Sequence, residues 1–342
     1  MTTPVDRQAP VVPVELDYGR TIDRSLVHRE AVSEVFVTDV RPVADRLVSA
    51  AVQLPLNHGY YNDHVQRPAA HDALLLLEAG RQAAIAGSHV HIGLSPGTLM
   101  IVDTFRLELP GFRHLFVGAA PGRLRIDTDY IGEPTRRGRY RKGKVVQRFL
   151  IAGGDGGPGG DGPGGTVEAG EHEMDVLFLN HHEHDVLRRA QRGTPAPLTS
   201  HYRDREDAGG GPVRVEPARV GRSSPVNVTL SDPRADGGTV SAAVTPRFDN
   251  RALFDHVYDH LPAMTLVEAA RQLAVLTSGA PLTTYATGFT AAFSRFAELD
   301  APLRAQAPAG STGAGERTVP VRFVQDGAEI ARITVTTTGG AP

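Results

Sequence analysis

Two acid–arginine–glutamine triplets carry most of the chemistry that this sequence offers. Glu78, Arg81 and Gln82 lie in LLLLEAGRQAAIA (74–86), and Glu268, Arg271 and Gln272 lie in MTLVEAARQLAVL (264–276). Positions i, i+3 and i+4 share one face of a helix. The remaining residues of each segment are apolar nearly all round, the pattern of a helix that is buried. A carboxylate or guanidinium left unpaired there costs roughly several kcal/mol. An internal Glu–Arg salt bridge that fixes helix orientation would satisfy each charge. A polar pocket would also use them: the Glu as general base, the Arg as grip for a phosphate or a developing oxyanion. Asp63-His64 and Asp255-His256 stand 14 and 12 residues ahead of their respective Glu. They either complete an acid–base pair and contact substrate, or simply cap the turn.

Other chemistries are excluded by residue type. The chain has no cysteine, so disulfides, thiolate metal sites and Cys nucleophiles are impossible. Its only lysines are Lys142 and Lys144, neither in a phosphate-loop motif nor in an apolar setting for a Schiff base. Net charge is −3, which leaves no electrostatic footprint for nucleic acid. No apolar run approaches the ~18 residues of a membrane helix, and the N-terminus reads as a Pro-rich arm without a signal peptide. A soluble, cytoplasmic protein without cofactor or metal is expected.

The elements that must position the triplets repeat. VSAAV occurs at 48–52 and again at 240–244, and the same offset of 192 carries Asp63-His64 onto Asp255-His256. After a two-residue slip, six of thirteen positions are identical between 74–86 and 264–276. Three matched blocks in one order predict a tandem duplication, with long helices over about 72–88 and 263–278. A strand is expected at 26–40 and at 225–233. Alternating, β-branched strands follow each helix, and Asp326-Gly327 marks a hairpin turn. The fold class that results is α+β, a double hotdog: two tandem units, each a long buried helix wrapped by an antiparallel sheet. The boundaries are a flexible arm at 1–23, a first unit at 24–191, a linker at 192–222 and a second unit at 223–340. Mobile loops are expected at 153–165, which is mostly glycine, and at 304–316. NHHEHD (180–185) holds three histidines but fits a surface turn better than a metal site. RRGRYRKGK (136–144) reads as a solvated hairpin loop, with contact to an acidic carrier protein as the alternative.

LVHREAVSEVFVTD, HGYYNDHVQRPAAHDALLLLEAGRQAAI and FDHVYDHLPAMTLVEAARQLAV together resemble the A-factor biosynthesis hotdog family. The second motif reads Pro262-Ala263-Met264 where that family has Pro-Gly-Met, a change that requires Ala263 to keep a negative φ. The resemblance implies an acyltransferase that moves a β-ketoacyl group from an acyl-carrier-protein thioester to a hydroxyl of dihydroxyacetone phosphate, in the synthesis of a γ-butyrolactone-type signalling molecule. It implies catalytic roles for Glu78, Arg81, Glu268 and Arg271, and substrate contacts for Asp63, His64, Gln82, Asp255, His256 and Gln272. Sites in related hotdog enzymes lie at the seam between two units, so each Asp-His pair is expected to serve the opposite helix. An acyl-thioester hydrolase or dehydratase, and a non-catalytic acyl-binding module, are the alternatives. A homo-oligomer and a single duplicated chain are both compatible with the sequence.

Overall fold

A computed structural model describes residues 14–132, 134–136, 139–152, 165–203, 212–310 and 315–339. Twelve strands form one antiparallel sheet: β1 (Val37–Ala44), β2 (Leu47–Leu54), β3 (Leu99–Glu108), β4 (Gly122–Ile131), β5 (Lys142–Ala152), β6 (Thr166–Leu179), β7 (Leu230–Asp236), β8 (Thr239–Val244), β9 (Thr284–Phe293), β10 (Leu303–Pro308), β11 (Gly315–Gln325) and β12 (Ala328–Gly339). Their order is β1-β2-β4-β5-β6-β3-β9-β12-β11-β10-β8-β7. The halves of this order are the two units, and they join where β3 pairs with β9, from Thr104 opposite Ala292 to Glu108 opposite Gly288. Both outer strands carry a proline, Pro42 in β1 and Pro233 in β7. Proline removes a ladder donor and so discourages pairing with another chain at an open edge.

The helices expected from the apolar runs are α1 (Ala73–Val90) and α4 (Ala263–Ser278). Asp72 caps α1 by accepting from Leu74 N at 2.9 Å. Ala263 is the first residue of α4 after Pro262 and is not among the residues with positive φ, so the departure from Pro-Gly-Met carries no strain. Each helix buries Leu and Ala side chains against its own half of the sheet, which closes the double hotdog expected from the duplication. Asp326 and Gly327, at φ 50° and 76°, make the tight turn between β11 and β12. Among the described residues no helix is long and apolar enough to cross a membrane.

The structure departs from the sequence expectations at several points. Residues 26–40 do not form one strand: short 3₁₀ turns at Arg24–Val27 and Val32–Glu34 precede β1. Likewise Pro225–Asn227 is a 3₁₀ turn ahead of β7. The expected mobile loop at 304–316 begins with β10, paired to both β8 and β11, and its inward residues are small alanines, Ala305 and Ala307. NHHEHD is no turn: it opens α2 (His181–Arg192) through a capping box between Asn180 and Glu183. A single helical turn, α3 (Ser200–Arg203), follows. The end of the expected linker is also structured, because Pro217–Val220 forms a 3₁₀ turn that delivers Arg222 to the core. Part of the expected arm, 14–23, runs along β1, with Ile22 N donating to Val37 O at 3.1 Å. Residues 153–164, most of the glycine-rich run, lie outside the described residues.

Candidate active site

Each triplet is held by an arginine from outside its helix. In the first unit, Glu78 is fully buried and accepts from Arg81 Nε (2.8 Å), Arg29 Nε (3.1 Å) and Gln82 Nε2 (2.7 Å). In the second, Glu268 is fully buried and accepts from Arg271 Nε (2.9 Å), Arg222 Nε (2.9 Å) and Gln272 Nε2. Both carboxylates are therefore saturated with donors. Burial alone would raise the Glu78 pKa, but Arg29 and Arg81 outweigh it and hold the group at about 2. Glu268 is lowered further against burial by Arg222 and Arg271. A carboxylate this acidic is a poor proton acceptor near neutral pH. The expectation that either Glu serves as general base therefore meets a physical obstacle; the geometry makes each one an anchor for two guanidiniums.

Gln82 and Gln272, expected to contact substrate, have their amides occupied by backbone. Gln82 donates to Glu34 O (2.6 Å) and accepts from Phe36 N (2.9 Å). Gln272 donates to Asn227 O (2.7 Å) and accepts from Thr229 N (2.9 Å). The amide thus substitutes for a strand neighbour just ahead of β1 and β7, and so fixes how the chain enters each sheet.

The Asp-His pairs do cross the seam. Asp255 accepts from Glu30 N (2.6 Å) and Ala31 N (3.0 Å), beside Arg29 of the opposite unit. Asp63 accepts from Ser223 N (3.0 Å) and Ser224 N (3.1 Å), beside Arg222. His256 consequently stands near Arg29 and Arg81, and His64 near Arg222 and Arg271. The pseudo-symmetry is accurate enough that Arg29 and Arg222 are equivalent, as are His28 and Gly221, which both adopt the left-handed conformation (φ 54° and 79°).

The two sites differ in access and in imidazoles. The Arg81 side chain is 31% exposed, whereas that of Arg271 is 4% exposed. Around Arg81 lie His256, with its Nδ1 3.6 Å from Asp255, and Tyr258, whose ring centroid is 4.1 Å from that of His256. His28 and His89 meet there through their Nε2 atoms at 2.8 Å, and His89 Nδ1 lies 2.9 Å from Leu94 O. A carbonyl only accepts, so neutral His89 donates from Nδ1 and accepts from His28 Nε2. Holding His28 at positive φ, where glycine stands in the second unit, is backbone strain of the kind found at functional sites. Burial and its neighbours push His28 down to about 4, and burial with Arg29 and Arg81 also lowers His256. Burial raises Tyr258, so its phenol stays protonated and able to donate. The second site is tighter. His64, Asp72 and Arg271 border a cleft of about 30 Å³, room for roughly one or two waters.

These buried imidazoles set a pH dependence for folding. His64 and His71 are pushed down to about 4, and His172 to about 3, all chiefly by burial. In the unfolded chain they protonate near pH 6.5, before the folded protein does. Stability is therefore expected to be flat with respect to these groups above about pH 6.5 and to fall as pH drops from there towards 4. Denaturant midpoints measured from pH 8 to pH 4 check this; a midpoint independent of pH across 6.5 to 4 contradicts it.

A family model described as the A-factor biosynthesis hotdog domain matches this chain twice, over residues 15–149 and 204–339. The chain belongs to that family. The second family domain begins inside the expected linker and contains Arg222, in agreement with the role of that residue in the fold. Among relatives, the 2-oxo-3-(phosphooxy)propyl 3-oxoalkanoate synthase of Streptomyces virginiae is 30% identical over 330 residues, covering 94% of this chain and 99% of the relative. The protein of the same name from Streptomyces coelicolor is 28% identical over 308 residues, covering 90% and 88%. A solved structure of an isomerase-inactive variant of GphF DH1 has a TM-score of 0.50 at 10% identity, covering 90% of this chain and 96% of that one, a likeness of fold alone.

Arg29, Arg222, His28, His89 and Tyr258 escaped the sequence reading. A signal for the arginines was present: at an offset of 193, Val27, Arg29 and Val35 coincide with Val220, Arg222 and Val228. The repeat begins earlier than VSAAV.

Proposed function

We propose that this A-factor family member is an acyltransferase that esterifies a hydroxyl of dihydroxyacetone phosphate with a 3-oxoacyl group delivered as an acyl-carrier-protein thioester, and that it does so at the first-unit site. The name of the Streptomyces relatives describes the ester of those two components. The observation that carries the choice of site is the exposure of Arg81 beside His256 and Tyr258, against the enclosure of Arg271.

The geometry supports the following roles. Arg81, aligned by Glu78, receives the phosphate. His256, neutral at pH 7 and oriented by Asp255, accepts the proton of the attacking hydroxyl. The hydroxyl oxygen adds to the thioester carbonyl, and the Tyr258 phenol donates to the resulting oxyanion. Collapse forms the ester and breaks the carbon–sulfur bond, and the proton held by His256 passes to the leaving thiolate. A candidate place for the acyl tail lies further along α1. A cleft of about 270 Å³ bordered by Ser88, Leu94, Tyr130, Tyr140 and Phe178 opens at the C-terminal end of α1. Ser88 is about 10 Å along the helix from Arg81 at ~1.5 Å per residue. The second-unit site then serves as scaffold.

Purified protein, 3-oxoacyl carrier protein and dihydroxyacetone phosphate test the proposal, with mass spectrometry of the phosphorylated ester. Arg81→Ala is expected to raise KM for dihydroxyacetone phosphate about 10- to 100-fold. Release of free 3-oxo acid at a rate independent of dihydroxyacetone phosphate identifies a hydrolase instead. A KM effect from Arg271→Ala but none from Arg81→Ala moves the reaction to the second unit.

A further inference from the structure

The NHHEHD segment plays no part in the proposed transfer, yet the fold brings it to a second cluster of potential ligands. α2 turns His184, Arg188 and Arg192 to the protein, at i, i+4 and i+8, while His181 and His182 on the same helix are exposed. Arg188 binds Asp259 (Nε to Oδ2, 2.8 Å) and Glu298 (Nη2 to Oε2, 2.8 Å), and Arg192 binds Asp300 (Nη2 to Oδ2, 2.8 Å). His184 extends this docking face by one turn and meets Asp259 and His260, where one ligand atom from each of the three residues lies within 4.8 Å of the others. Both imidazoles pack against the Phe296 ring, at centroid distances of 5.6 Å and 4.8 Å, which limits their freedom to turn away.

We propose that His184, Asp259 and His260 form a binding site for one divalent transition-metal ion of the zinc class, with water completing the coordination. Two imidazoles and one carboxylate are a donor set suited to zinc or cobalt and poorly suited to calcium or magnesium, which take oxygen ligands. Charge in the surroundings favours a cation. Asp259, Glu298 and Asp300 supply three negative charges against the two of Arg188 and Arg192. His260 Nδ1 now lies 2.6 Å from Asp259 Oδ1, a hydrogen bond that the ion replaces, with the single ring proton of the neutral imidazole moving to Nε2. The ion would clamp α2 to the loop that carries His256 and Tyr258. The site does not depend on the proposed transferase activity.

The experiment is a cobalt(II) titration of the metal-stripped full-length protein, read by visible absorption, followed by displacement with zinc. One equivalent of cobalt with the intense bands of a low-coordinate site is expected. His184→Gln and His260→Gln should each weaken binding about tenfold or more, and the double variant His181→Ala/His182→Ala should leave it unchanged. His184 lies on a surface helix, so circular dichroism of His184→Gln is expected to match the parent even if His260→Gln disturbs the loop. Absence of a stoichiometric site overturns the proposal. So does parental affinity in His184→Gln, or loss of binding in the His181/His182 double variant.

Discussion

Arg222→Ala is expected to destabilise the protein by about 3–5 kcal/mol, because it leaves a buried carboxylate with one guanidinium in place of two. Glu268 is fully buried, and Arg222 supplies one of its two guanidinium partners. The same side chain lies 4.3 Å above the Tyr60 ring and donates to the Tyr60 carbonyl. It joins the start of the second unit to the aromatic loop of the first. Alanine removes the ion pair, the cation–π contact and the backbone bond together, and water has no easy route to replace them. Chemical denaturation measures the effect, with Arg332→Ala as reference. That side chain is 57% exposed, and its pair with Glu329 is expected to contribute little because solvent screens it. A loss for Arg222→Ala as small as that of Arg332→Ala would mean that Glu268 does not depend on its charged partner.

His256→Ala is expected to lower kcat by about 10²- to 10⁴-fold, the usual contribution of a positioned base, with little change in stability. The side chain is 33% exposed, so its removal opens no core cavity. The parent enzyme should lose activity as pH falls below about 6.5, when the imidazole begins to take up the proton it must accept from substrate. The depressed pKa of His256 places that limb below the ordinary histidine value. His256→Ala should lack this limb. If kcat and the acid limb both survive the substitution, His256 is not the base, and His28, backed by His89 and the Leu94 carbonyl, becomes the next group to test.

Much of the architecture was legible because the sequence states its core twice. The apolar helices stand out by composition, and α4 spans the residues expected of it. The exchange of Asp-His pairs across the seam was expected only from the resemblance to hotdog enzymes whose sites lie between two units. The partners of Glu78 and Glu268 were not. An arginine in VHREA or RVGRSS has no local pattern that marks it as buried; only the long-range fold does. β10 was hidden for a different reason. Its alternation is carried by alanines between proline- and glycine-rich flanks, and small residues give a weak period-two signal. α2 was hidden by its histidines and charges, although Asn180 and Glu183 spelled out a capping box. The saturation of the two carboxylates could not be foreseen, because it depends on a donor that arrives from a distant segment to join those of the helix itself.

The reciprocal hold of Asp63 on Ser223 and Ser224, and of Asp255 on Glu30 and Ala31, has a bearing on how such a chain changes over time. Neither half owns all the parts of its own centre. A substitution in one aspartate loop is felt by the arginine of the other half, so the halves are bound to vary in concert even where only one of them meets the substrate. A twin that has given up chemistry is thereby still kept from decay, since its loop remains on loan to its neighbour.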